Sequence, residues 1–113
     1  MSKKMYIAVL EEAPDYMVPT LVAHSVINAH IDQQAHPDYK DWLKNSYRKV
    51  VLRVSRKEFE KIKDSCEFWW EGHENTICEG KGSCLVVLPV ESDAVPNVLK
   101  FAKLWKPKEK ENG

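Results

Sequence analysis

Two stretches without polar alternation govern what this chain can fold into: "KMYIAVL" (Lys4–Leu10) and "CLVVLPV" (Cys84–Val90). A strand with one wet face alternates apolar and polar residues, so strands this uniformly apolar are covered on both faces and lie inside a sheet. Covering two faces takes helices on both sides, which predicts a three-layer α-β-α domain of the α/β class. "VPTLVAHSVINAH" opens a helix with Pro19 in its first turn, running to about Ala35. "PDYKDWLKN" restarts as a shorter helix with Tyr39, Trp42 and Leu43 on one side. "RKVVLRVS" (Arg48–Ser55) reads as a strand, and Ser55 with Glu58 forms a capping box opening a third helix, where Phe59, Ile62, Cys66 and Trp69 or Trp70 recur at helical spacing.

After Gly72, "ENTICEG" predicts a short strand, "KGS" a turn, and the second apolar run its hairpin partner. "SDAVPNVLKFAKLW" predicts a last helix, capped by Ser92 or Asp93, with Val95, Val98, Leu99, Ala102 and Leu104 or Trp105 inward. The expected order is β-α-α-β-α-β-β-α around a four-stranded mixed sheet. A chain of 113 residues matches a single domain, expected over 1–106, with a charged, solvated tail over 107–113.

Lys and Arg balance Asp and Glu at 17 each, so no global field draws in nucleic acid. Local basic groups do occur: Lys44, Arg48 and Lys49, then Arg53, Arg56 and Lys57, with Trp42, Tyr47 and Trp105 near them in sequence. They offer phosphate contacts and a stacking surface for RNA, or simply a solvated face. No apolar run approaches the roughly 18 residues of a membrane span, and the start has too short an apolar stretch for a secretory signal. With an odd number of cysteines, read as free thiols, the expected setting is reducing and cytoplasmic. Cys66, His73, Cys78 and Cys84 carry the right atoms for zinc but lack the close cysteine pair that pre-forms such sites, so no metal is expected. Trp69, Trp70 and Trp105 read as exposed and raise a homodimer as an expectation.

The order of elements and several local strings resemble the type 2 peptidyl-tRNA hydrolases, from end to end of the chain. "LVAHSV" resembles that family's small-x-His pattern at His24, "DWLKNSYRKVVLRVSRKEFEKI" its Trp-bearing helix, second strand and charged helix, and "GKGSCLVVLPV" with "VLKFAKLW" its closing segments. The resemblance implies a small enzyme that needs no cofactor and hydrolyses the ester between a stalled peptide and the 3′ ribose of its tRNA. The family's active-site Lys and Gln have Met17 and Leu21 at about their positions here. Its Asp-Ala-Gly-x-Thr string corresponds to "GHENTICEGKGS", with Thr76, and His73 or Glu74, as counterparts. Two readings follow: a hydrolase of peptidyl-tRNA or an analogous acyl bond, or a catalytically silent binding module of the same fold.

Ester hydrolysis needs a positioned general base and a donor or cation for the oxyanion. Thr20, His24 and Asn28 fall at successive i,i+4 positions and share one helix face, which would make His24 a base with Asn28 or Thr20 as its orienter. The plain alternative is a cap, a packed imidazole and a surface amide. His73, Glu74, Asn75 and Thr76 would stand at the mouth of the same cleft, and Glu11, Glu12 and Asp15 follow the first strand, where α/β sheets place ligands. Lys81 and Ser83 of the hairpin turn complete the expected set, and Lys81 or Arg48 would supply the cation. The candidate catalytic residues are therefore His24, His73 and Thr76, with Thr20, Asn28, Glu12, Asn75, Ser83 and Lys81 as substrate contacts.

Overall fold

In the computed structural model, which describes residues 2–108, the first apolar run is a strand, β1 (Lys3–Leu10), paired on both sides. β2 (Arg48–Val54) runs parallel to it from Lys4 opposite Arg48 to Leu10 opposite Val54. On its other side β4 (Cys84–Val87) runs antiparallel, with Ile7 opposite Val86, and β5 (Val90–Glu91) continues along β1 beyond the kink at Pro89. Proline has no N–H for the ladder, so it falls at the break between the two paired stretches.

Successive β1 residues serve opposite cores, as strand geometry requires. Met5, Ile7 and Val9 join Leu21 and Ala29 of α1 (Val18–Gln33) and Tyr39 and Trp42 of α2 (Pro37–Asn45). Tyr6, Ala8 and Leu10 join Phe59 and Ile62 of α3 (Arg56–Ser65) and Leu99 of α4 (Asn97–Lys100). The fold is a mixed α/β arrangement with helices over both faces of the sheet. The capping box is present, with Ser55 Oγ accepting from Glu58 N (3.1 Å) and Glu58 Oε1 accepting from Ser55 N (2.8 Å).

The sheet has six strands rather than the expected four, in the order β3 (Trp69–Gly72), β4, β1, β2, β6 (Lys103–Leu104), with β5 also on β1. Three local differences account for this. β3 is Trp69–Gly72, not the "ENTICEG" segment, and α3 ends at Ser65. As a strand, this segment sends Trp70 into the α1-side core and Trp69 into the α3-side core, whereas a helix would bury one face only. Residues 74–80 instead form a loop in which Cys78, Glu79 and Gly80 all have positive φ (48°, 56° and 75°). The last helix shrinks to Asn97–Lys100, preceded by Pro96 rather than capped by Ser92 or Asp93. The chain then turns into β6 (Lys103–Leu104), which pairs antiparallel with β2 and covers its otherwise open edge. Beyond Lys108 the expected charged tail lies outside the described residues.

Trp69, Trp70 and Trp105 are half-buried in the two cores, which corrects their reading as exposed dimer-forming aromatics. No helix of the described residues is long and apolar enough to cross a membrane. All three cysteines are free. Burial pushes the Cys84 thiol up to about 12. A thiol reagent at pH 8 is therefore expected to leave Cys84 unmodified in the native protein and to reach it only on unfolding, with Cys66 and Cys78 reacting first. Equal labelling rates at all three positions would contradict the central placement of β4.

Candidate functional site

Where β1 and β2 end, two of the three acidic residues that follow β1 are already engaged. Glu12 meets Arg56 at 3.2 Å and Asp15 meets Arg53 at 3.1 Å. The chain after β6 crosses this end: Lys108 N donates to Asp15 Oδ2 (2.6 Å), and Arg53 Nη2 donates to Lys106 O (2.5 Å). The Lys108 amide, and after it the Arg53 guanidinium, hold the Asp15 carboxyl below the usual carboxylate range. The Arg53 guanidinium also lies over the Trp105 ring, 5.0 Å from its centroid. Three buried groups at or near this end lack a partner: Arg53 Nη1, Trp105 Nε1 and Ser83 Oγ.

α1 sorts its polar residues by register. Val18, Leu21, Ser25, Ala29 and Gln33 form the buried side. Thr20, His24 and Asn28 do share a face, but Thr20 and His24 are exposed and Asn28 is half-exposed, on the side that also carries Ile27 and Ile31. The α1 start is not capped by Thr20; Met17 precedes it without a side-chain cap. Ser25 Oγ donates back to Leu21 O (2.7 Å) and rests on the Gly72 backbone, where a Cβ would overlap it. Ser25 and Gln33 are the buried polar positions that sequence reasoning passed over. Their signal was the i,i+4 run from Leu21 through Ser25, Ala29 and Gln33.

Ile77 of the loop after β3 belongs to the same core as Val18 and Leu21 of α1. Met17 packs there too, and Leu21 is fully buried, so the two positions that the resemblance sets against a Lys and a Gln serve packing. His73, Asn75 and Thr76 are exposed and Glu74 is half-buried. Lys81 is exposed and pairs with Glu79 at 3.6 Å, whereas Ser83 is fully buried at the foot of β4, away from solvent. Among the described residues, the side chains of His24, His73 and Thr76 make no hydrogen bond to one another or to an orienting group.

The opposite end of the sheet is better furnished. Tyr47, between α2 and β2, adopts φ 66° and is 59% exposed. Its ring stacks on Trp42 at 5.5 Å and 20°, and the Lys49 ammonium sits 3.5 Å from the Tyr47 centroid. A left-handed tyrosine costs about 1–2 kcal/mol, which glycine would avoid; the stack offsets part of it. Lys40 and Lys44 on α2 and Arg48 and Lys49 at the start of β2 are exposed, and none has an acidic partner among the described residues.

A cleft opens at this same end where three connections meet. One lobe, of about 490 Å³, is bordered by Lys3, Cys66, Phe68, Pro89 and Glu91, and the other, of about 470 Å³, by Gln33, Pro37 and Leu88. Phe68, His36 and Leu88 stand between the lobes. The described residues gather no group of three His, Cys, Asp or Glu side chains able to hold a metal ion. No protein-family model matches the chain, and no curated protein is similar to it at a significant level.

Proposed function

We propose that this chain is a domain resembling the type 2 peptidyl-tRNA hydrolases which holds an RNA partner, peptidyl-tRNA or a relative, without cleaving its ester. One observation carries the reading: an exposed tyrosine, its ring stacked on Trp42 and met by the Lys49 ammonium, joins a helix that exposes Lys40 and Lys44 to a strand that opens with exposed Arg48, and none of these four cations has an acidic partner among the described residues. Cations that need not leave a carboxylate are free to meet phosphates, and a propped aromatic face suits an unpaired base. Hydrolysis is disfavoured because Met17 and Leu21 pack in the core, and His24 stands in solvent without an orienter for a proton transfer.

The second reading, ester hydrolysis with His24, His73 and Thr76 nearest the chemistry, draws support from Ile77, one residue after Thr76, which shares a core with the α1 residues Val18 and Leu21. Cys78 and Glu79, successive non-glycine residues of positive φ in that loop, add to it, since backbone strain collects at working sites.

Labelled N-blocked aminoacyl-tRNA separates the two. The purified protein is expected to retain the tRNA with a salt-dependent affinity and to release no label above a protein-free blank. Arg48→Ala and Lys49→Ala together should lower the slope of log affinity against log salt by about 1 for each phosphate contact removed, and Tyr47→Ala should cost about 1–3 kcal/mol of binding. Turnover that vanishes in His24→Ala would replace this reading with the second. Absence of both binding and turnover would overturn the two together.

A further inference from the structure

The two edges of the sheet are treated differently. β6 closes the outer edge of β2, whereas β3, at the other end of the order, is paired on one side only. Leu88 N donates to Phe68 O (3.0 Å) and Ser83 N to Gly72 O (2.9 Å), so Phe68, Trp70 and Gly72 turn their backbone groups toward β4. The N–H and C=O groups of Trp69 and Glu71 therefore point outward, and among the described residues no strand or loop takes them up. β3 has no proline or lysine, and its one charge, Glu71, is turned to Lys63 (3.0 Å), so the side-chain guards that keep edge strands apart are missing.

α1 adds an apolar flank beside this edge. It lies over β3 and β4, while α2 lies over β1. His30 Nδ1 meets the Tyr39 hydroxyl at 3.0 Å, which marks the flank of α1 that faces α2. Helical spacing puts His24, Asn28 and Ile31 on the opposite flank, toward the β3 edge, with Ile27 at the top. Ile27 and Ile31 are each 63% exposed.

Edge and flank fit one symmetry axis. Ser25 rests on Gly72, and Gln33 and Phe68 border one lobe of the cleft, so α1 runs antiparallel to β3. At about 3.3 Å per strand residue and about 1.5 Å per helix residue, the two segments have the same length, and Trp70 lies level with Asn28 and Ala29. A two-fold axis through Trp70, perpendicular to the sheet, sets Trp69 opposite the partner's Glu71 and never one Glu71 against the other. The same operation places two copies of α1 side by side on one face. With strands about 4.8 Å apart and α1 astride β3 and β4, the helix axes fall about 10 Å apart, a distance at which helices pack.

We infer that this face joins a second copy of the chain, β3 pairing antiparallel with the partner's β3 while Asn28 faces the partner's Asn28 and Ile31 meets the partner's Ile27. The tryptophan rings stay in their own cores; the backbone and α1 make the contact. A seam as long as α1, about 24 Å, and about 20 Å deep covers on the order of 1,000 Å² over both copies, the lower limit for a specific interface, so the dimer is a reversible one.

Sedimentation velocity on the full chain, from low-micromolar to millimolar concentration, tests this together with amide hydrogen exchange over the same range. A monomer should give way to a dimer, and the Trp69 and Glu71 amides should become protected as it forms. Ile27→Lys and Ile31→Lys, at exposed positions, should each weaken dimerisation at least tenfold with thermal unfolding of the monomer unchanged. Phe101→Lys, equally exposed but on the far side of the fold from α1, should leave it as it is. A monomer at every concentration, which would leave the edge to another chain or to water, would overturn the inference. So would a dimer indifferent to both isoleucine variants, or one that leaves Trp69 and Glu71 unprotected.

Discussion

Trp42→Ala should remove about 4 kcal/mol of folding stability, a large part of the roughly 5–15 kcal/mol that holds a domain of this size together. The ring is 2% exposed, tilted against Tyr39 and covered by Tyr47, and its Nε1 donates to Arg48 O at 2.7 Å. Truncation opens a cavity under α2 and deprives the Arg48 carbonyl of its donor at the start of β2. Urea denaturation should show a lower midpoint with an unchanged slope, the sign of lost stability rather than a changed unfolded state. Trp42→Phe keeps most of the volume and loses the donor, so it should cost about 1–3 kcal/mol. A loss below about 1 kcal/mol in the alanine variant would show that α2 does not depend on this ring. The phenylalanine variant also bears on function: it leaves a ring beneath Tyr47 and should retain most of the RNA affinity proposed above.

Gly72→Ala should destabilise by about 3 kcal/mol despite adding one methyl group. The added Cβ would overlap both Oγ and Cβ of Ser25, in the middle of α1, and neither helix nor strand can shift without disturbing the core beneath. β3 is an edge strand that α1 covers through this contact, with Gly72 paired to Cys84 on its other side. Ser25→Gly in the same chain removes the obstructing atoms at a cost of about 1 kcal/mol in helix propensity. The double variant should therefore be more stable than Gly72→Ala alone, a coupling that distant sites would not show. Strict additivity in thermal or urea unfolding would mean that the two residues do not touch as described.

Several parts of this architecture were legible locally. β1 and β4 announce themselves as uniformly apolar runs, and the Ser55–Glu58 box marks the start of α3 to the residue. These signals depend on nearest neighbours along the chain, and tertiary contacts only reinforce them. Trp69 and Trp70 were harder, because the spacing that continues the α3 stripe also fits a strand. Pairing with β4 settles it, since each ring then enters a different core. β6 is two residues long and exists because the β2 edge needs hydrogen-bond partners, a demand raised by residues some fifty positions earlier.

The candidate site divides along the same line. Helical spacing correctly groups Thr20, His24 and Asn28 on one face, but α1 mixes apolar and polar residues on both its inner and outer sides, with Ile27 and Ile31 each 63% exposed and Ser25 and Gln33 buried. Periodicity then has no means of telling the inner face from the outer. Contact with the Gly72 backbone turns Ser25 inward, which sends His24 to solvent. The Tyr47 cluster was readable as composition, three cations beside two aromatics, though not as a stack held in a left-handed turn. The cleft around Phe68 left no trace in any local string, because its walls come from connections that are far apart in sequence and are brought together by the closing of the sheet. Local pattern specifies which segments can hide from water, but the direction in which a polar side chain finally points depends on long-range packing, which is a property of the whole fold.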